Sequence, residues 1–184
     1  MTTAKIILVA TLIFTALFFA FVFYYGGFKQ IEIQIREAGG EAVVYQEIVG
    51  DYRQTGRVMD DIYYALLREK EIETFKGFGV YYDNPQYTPK SQLRSEAGCV
   101  VEFADTSKLF DLPAGFKVKY LPAQKYMVTE FPYLGKLSVL FSLNKVYPAL
   151  NRYAFEFGYP QDGAVTEIYD IPGKRIIYRK TFLD

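Results

Sequence analysis

Residues Ile6 to Tyr25 run without a charge, a proline or a glycine. As a helix the run measures about 30 Å, the thickness of a bilayer's hydrocarbon core. It predicts a membrane-spanning helix. It is longer than the apolar region of a secretory signal, roughly 7–15 residues, and it ends in Phe23, Tyr24 and Tyr25, not in the small residues of a cleavage site. Paired tyrosines suit a membrane–water interface. The expectation is an uncleaved anchor over residues 1–27. A cleaved signal or a buried core helix is the alternative, but a core helix would carry a polar stripe and this run has none. Lys5 precedes the run, while Lys29 and Arg36 follow it. That imbalance places the rest of the chain on the cytoplasmic side.

Beyond the glycine pair Gly26-Gly27 the pattern changes. Ile31–Arg36 alternates as a half-buried strand does, and after Gly39 and Gly40 the stretch Ala42–Val49 reads as a second strand. Met59, Ile62, Tyr63, Leu66 and Leu67 recur at helical spacing, with Asp60 and Asp61 early and Arg68 and Lys70 late, an order that suits the helix dipole. Gly77–Tyr82 and Gly98–Phe103 are expected strands, and Asp83-Asn84-Pro85 stops the first. Thr106–Gly115 reads as a connector, followed by extended stretches at Phe116–Leu121 and Lys125–Phe131. A long helical pattern then runs from Leu137 to Phe157, with Pro148 inside it predicting a kink or a split near Asn144. Ala164–Tyr169 and Arg175–Thr181 form a closing hairpin. Two echoes suggest duplication. Gly27–Lys29 (GFK) returns at Gly115–Lys117, and Tyr81–Pro85 (YYDNP) at Ile168–Pro172 (IYDIP). The fold class is therefore α+β, one domain over residues 28–184 with modules near 28–105 and 115–184.

Composition removes several function classes. The 184 residues hold 21 basic and 21 acidic side chains, and no basic run is interleaved with aromatics, so nucleic acid is not an expected partner. With no histidine, Ser–His and Cys–His catalysis and the usual zinc sites are out. A single cysteine, Cys99, excludes an internal disulfide and, in an apolar stretch, reads as a buried thiol. No phosphate loop and no metal-ligand spacing is present, and no cofactor is expected. The 17 tyrosines and 16 phenylalanines are the unusual feature. They suit a packed core and a ligand wall equally.

Glu167 is the candidate for chemistry. It lies mid-strand in AVTEIYDIP, sharing a face with Val165 and Tyr169, while Thr166 and Ile168 take the other. If Ile168 packs on the helices, Glu167 points to the opposite side. There it is either a solvated surface charge or a desolvated carboxylate with a raised pKa, suited to a cationic or polar ligand beside tyrosine faces. The turn Tyr81–Pro89 is a rigid strand terminus, or the rim of a pocket into which Tyr82 points. Phe131-Pro132-Tyr133 is a second rigid aromatic corner. Asp60, Asp61, Glu69 and Glu73 read as a solvated helix face.

The segment Gly79–Val101 resembles the GyrI-like small-molecule-binding family. The family's Tyr-Tyr-Asp-x-Pro turn falls on Tyr81, Tyr82, Asp83 and Pro85, and its Leu-Arg pair on Leu93 and Arg94. TEIYDIP is similar to the closing strand, whose pocket glutamate falls at Glu167. The resemblance implies two strand-helix-strand-strand modules around a pseudo-twofold, with a ligand cleft between them. With that cleft, the favoured reading is a small, mostly apolar or cationic ligand held by Glu167, Tyr82, Tyr169, Tyr133 and Tyr45, and sensed, buffered or presented at the membrane. Tyr82 and Tyr169 would supply ring faces at symmetry-related positions. An N-terminal span followed by QTGR, YYDNP, VTEFPY and YPALNRY is similar to the family's membrane-anchored branch, which serves autophagy of the endoplasmic reticulum. The acidic tail of that branch has no counterpart here, so its function is not carried over. Nor does any segment resemble the helix-turn-helix that bacterial relatives use on DNA. An adaptor that recruits a protein partner, or a hydrolase of strained-ring compounds, are the other readings.

Overall fold

The structure is a computed structural model that describes residues 2–182. Helix α1 (Thr3–Tyr24) buries no residue against the rest of the chain and is long and apolar enough to cross a membrane. It ends in a glycine cap: Gly26 adopts φ 84°, and the Gly27 N–H reaches back 2.8 Å to the Val22 carbonyl.

The remainder is an eight-stranded antiparallel sheet with two long helices on one face. In chain order the elements are β1 (Gln34–Ala38), β2 (Ala42–Val49), α2 (Thr55–Lys70), β3 (Lys76–Tyr81), β4 (Arg94–Val101), β5 (Lys117–Tyr120), β6 (Gln124–Pro132), α3 (Lys136–Glu156), β7 (Val165–Asp170) and β8 (Arg175–Lys180). The strands lie in the order β1-β6-β8-β7-β3-β4-β2-β5. Exchanging β1–β4 with β5–β8 reads this order backwards, so a pseudo-twofold passes between β3 and β7. Each half also lends its first strand to the other: β1 pairs with β6, and β5 with β2.

The two sequence echoes fare differently. Lys117 opens β5, whereas Lys29 lies well ahead of β1, so GFK marks no equivalent position. The Asp-x-Pro echo does. Asp83 clasps Arg94, the first residue of β4, at 2.8 Å, and Asp170 clasps Arg175, the first residue of β8, at 3.0 Å. Both loops between the hairpin strands are tied by the same carboxylate–guanidinium contact. The Arg94 guanidinium holds the Asp83 carboxyl below its ordinary value. Burial opposes the same effect at Asp170, but Arg175 and the Gly173 N–H prevail.

Both faces of the sheet are buried. On the helix side Val44, Cys99 and Val101 meet Ile62 and Leu66 of α2, while Met127, Phe131, Val165, Ile176 and Tyr178 meet Val146, Leu150 and Ala154 of α3. On the other side Val43, Phe78, Val80, Val100 and Ile168 close on one another and on Leu121.

Three local expectations need adjustment. Helix α2 starts at Thr55, so Asp60 and Asp61 lie beyond its first turn, although Arg68 and Lys70 do occupy the last. Helix α3 is not split at Pro148: it runs unbroken from Lys136 to Glu156. Its buried stripe of Ser138, Ser142, Val146, Leu150 and Ala154 spans the proline and holds both halves on the sheet. The strand expected at 31–36 begins later, at Gln34. Cys99 is buried, donates to the Met59 carbonyl, and has its thiol pushed up to about 12 by burial.

Leu150 is fully buried where α3 meets the sheet. Leu150→Ala is expected to cost about 2–5 kcal/mol in chemical denaturation. Val49→Ala, at an exposed strand end, should stay within about 0.5 kcal/mol.

Candidate functional site

Strand β7 sits beside the pseudo-twofold, and its register fixes what surrounds Glu167. Glu167 stands opposite Gly79 on β3 and Tyr178 on β8. Directly paired residues share a face, so Glu167 lies with Tyr178 on the helix-covered side. Ile168 turns instead to the helix-free side, against Val43 and Phe78. The conditional placement from the sequence is thereby reversed, and the carboxylate points into the layer between sheet and helices.

There Glu167 is 1% exposed. The Tyr147 hydroxyl, from α3, donates to Oε1 at 2.7 Å, and the Tyr169 hydroxyl donates to Oε2 at 2.5 Å. Among the described residues no lysine or arginine pairs with it. Burial pushes the Glu167 carboxyl above its ordinary value, and the two tyrosine hydroxyls oppose that rise without cancelling it. Burial and the neighbouring carboxylate push the Tyr147 and Tyr169 hydroxyls well above theirs.

Two further tyrosines complete the enclosure. Tyr178 lies 2.6 Å from the Ser142 hydroxyl, whose own proton goes to the Val139 carbonyl, so Tyr178 is the donor. Its ring meets that of Tyr147 edge-on at 6.1 Å. Tyr81 folds back over Gly79: a Cβ at Gly79 would stand 2.9 Å from the Tyr81 hydroxyl. The floor opposite Glu167 is bare backbone, and this is what lets an aromatic ring lie there. The Tyr81 hydroxyl reaches Thr55 at 3.3 Å.

The structure brings together part of the expected set. Glu167 and Tyr169 are in direct contact, and Tyr133 braces Tyr169 with ring centroids 5.8 Å apart. Tyr82 and Tyr45 lie elsewhere, on the helix-free face. Lys119 pairs with Glu96 there and stands 4.6 Å over the Tyr45 ring. Burial and the Glu96 carboxylate push the Tyr82 hydroxyl up. The residue on the Tyr169 face is Tyr81, one position earlier, because Gly77, Gly79 and Tyr81 share the side of β3 that carries Tyr169 and Glu167 on β7, and Tyr82 falls on the other. Tyr147, Tyr178 and Ser142 escaped the sequence reading. Tyr147 offered one signal, a tyrosine at helical spacing from the buried Leu150 and Ala154. A separate open hollow of about 500 Å³, lined by Glu73, Phe75, Lys76, Glu102 and Asp170, does not reach Glu167. Among the described residues no cluster of three or more acidic or cysteine side chains could hold a metal.

The sequence profile of the GyrI-like small molecule binding domain matches residues 31–175. The chain belongs to the GyrI-like family. No curated protein matches it. In structure, this GyrI-like chain is similar to EcmrR in a complex with DNA, with a TM-score of 0.60 at 13% identity over 96% of this chain and 68% of that one. It is also similar to the EcmrR C-terminal domain, with a TM-score of 0.57 at 12% identity over 82% of this chain and 96% of that one. An integron cassette protein of Vibrio cholerae gives 0.52 at 10% identity, over 84% of this chain and all of the other. At such identities the likeness carries the fold.

Because burial raises Glu167, the folded GyrI-like domain favours the neutral acid. That contribution is full below the ordinary value of 4.5 and is lost as pH climbs through the raised one. Glu167→Gln should gain stability relative to the parent as pH rises above about 4.5, read by urea titration. A pH-independent difference would contradict the assignment.

Proposed function

We propose that this GyrI-like domain binds a small, mostly apolar, cationic molecule over Glu167, between α2 and α3. One observation carries the reading: a fully buried carboxylate whose only partners among the described residues are two tyrosine hydroxyls. A buried acid without a countercharge is a standing cost. A delocalised cation would supply the missing charge, and the rings of Tyr81, Tyr147, Tyr169 and Tyr178 offer faces that attract it. Entry needs Tyr147 and Tyr169 to swing aside, which exchanges two hydrogen bonds for an ion pair. The sequence further supports an anchor over residues 1–27 that holds the domain, residues 28–184, at the cytoplasmic surface. The domain would then sense, buffer or present its ligand there.

Tetraphenylphosphonium is a suitable probe, since its charge is permanent and spread over apolar rings. Calorimetry on the full chain in detergent should show binding that Glu167→Gln weakens by at least about tenfold, or 1.4 kcal/mol. Tyr82→Phe, on the other face, should leave it unchanged. Equal affinity for Glu167→Gln and the parent would remove the carboxylate from the role.

A further inference from the structure

The end of α1 is built into the domain at one corner. The Lys145 ammonium of α3 donates to the Gly27 carbonyl at 2.6 Å. Gly26 lies against the Phe131 ring so closely that a Cβ would come within 2.8 Å of it. A Cβ on Gly27 would stand 3.5 Å from the ring of Phe141, also on α3. The chain reverses at these glycines, and the Phe28 ring stacks on Phe19 with centroids 6.2 Å apart. Phe28 therefore lies alongside the last turns of α1, roughly 7 Å back from the helix end at 1.5 Å per residue.

Helix α3 continues this apolar corner. Its buried stripe faces the sheet through Ser138, Ser142 and Val146. Leu137, Leu140 and Phe141 share a different side, the spacing that puts residues on one helical face. Leu137 is 40% exposed, Leu140 57% and Phe28 54%. Lys29 and Lys136, both exposed, stand next in sequence to Phe28 and Leu137. Apolar side chains edged by lysines are the composition of a surface that settles at the headgroup–acyl boundary, where the lysines meet lipid phosphates.

We propose that Phe28, Leu137 and Leu140 form a ridge, backed by the partly buried Phe141, that dips into the bilayer interface, so that the domain lies against the membrane instead of hanging from a free tether. The inference rests on the reading of α1 as a membrane span, because the ridge is continuous with that helix. The occupant of the ridge is the same bilayer.

The test uses the full chain in nanodiscs of phosphatidylcholine with phosphatidylserine. Cys99 is buried, so a fluorophore can be placed on thiols introduced singly by Leu140→Cys, Phe14→Cys and Val49→Cys. Val49 is exposed on β2, near the far edge of the sheet from β6. Expected for Leu140→Cys are a blue-shifted emission, quenching by lipids carrying a nitroxide near the headgroup, and loss of quenching by aqueous iodide. Val49→Cys should show the reverse. If Leu140→Cys behaves like Val49→Cys while Phe14→Cys reports hydrocarbon, the span stands and the ridge is refuted. If Leu140→Cys is shielded from both quenchers, a second protein copy covers the face and the bilayer is refuted as occupant. If Phe14→Cys itself reports water, the span is wrong and the ridge falls with it.

Discussion

A carboxylate taken out of water and given no cation constrains everything around it. Among the described residues Glu167 is held on the helix side of the sheet by two tyrosine hydroxyls alone. Hydrogen bonds to a charged group contribute about 1.5–3 kcal/mol each, while the desolvation penalty for a buried ion is several kcal/mol even after relaxation. The hydroxyls therefore leave the acid under-compensated, and its pKa is raised. They also have to be where they are. Without Tyr147 and Tyr169 the oxygens would be orphans in an apolar layer. The enclosure is thus part of the fold's polar accounting as much as a feature of a binding site.

The pseudo-twofold explains where that acid could be placed. Strands β3 and β7 flank the axis, and the Asp83–Arg94 and Asp170–Arg175 clasps repeat the same tie on each side. The chemistry does not repeat. Opposite Glu167 stands Gly79, and opposite Tyr169 stands Gly77. A side chain at Gly79 would collide with Tyr81. One half supplies the charge and the other supplies vacant backbone, so two related halves yield a single site with one acid.

The elements were legible because their periodicities are strong, from the uninterrupted run of α1 to the spacing of Ile62 and Leu66. Glu167 was legible as a charge in the middle of a strand. The side it faces was not. Strand alternation says which residues share a face, never which face meets the helices, and contrast between wet and dry faces usually settles it. Here both faces are dry: β4 is buried at Ser95 to Val101 without alternation. The misplacement of Tyr82 has a similar origin. Aligning the Asp-x-Pro echoes pairs Tyr82 with Tyr169, but the first half carries one more residue between the strand's last inward tyrosine and the aspartate. That residue is Tyr82, and the extra step turns it to the Tyr45 face. Tyr147 was hidden for another reason. A helical tyrosine next to Pro148 looks like any other, and only the position of α3 over β7 gives it a partner.

Access to Glu167 is limited by how α3 is held. Lifting the helix would expose Val146, Leu150 and Ala154, all fully buried; at about 1.5–3 kcal/mol for a large aliphatic side chain, Val146 and Leu150 alone would consume much of a domain's stability. Moving only the two capping side chains is far cheaper. Tyr147 and Tyr169 are half-buried, each is bound to Glu167 by one hydroxyl, and Tyr133 is the only ring stacked edge-on against Tyr169 among the described residues. Pro148 adds local freedom, since it has no N–H to tie back to the Asn144 carbonyl one turn earlier. Opening by side-chain rotation within a fixed helix is therefore the route that the packing energetics favour.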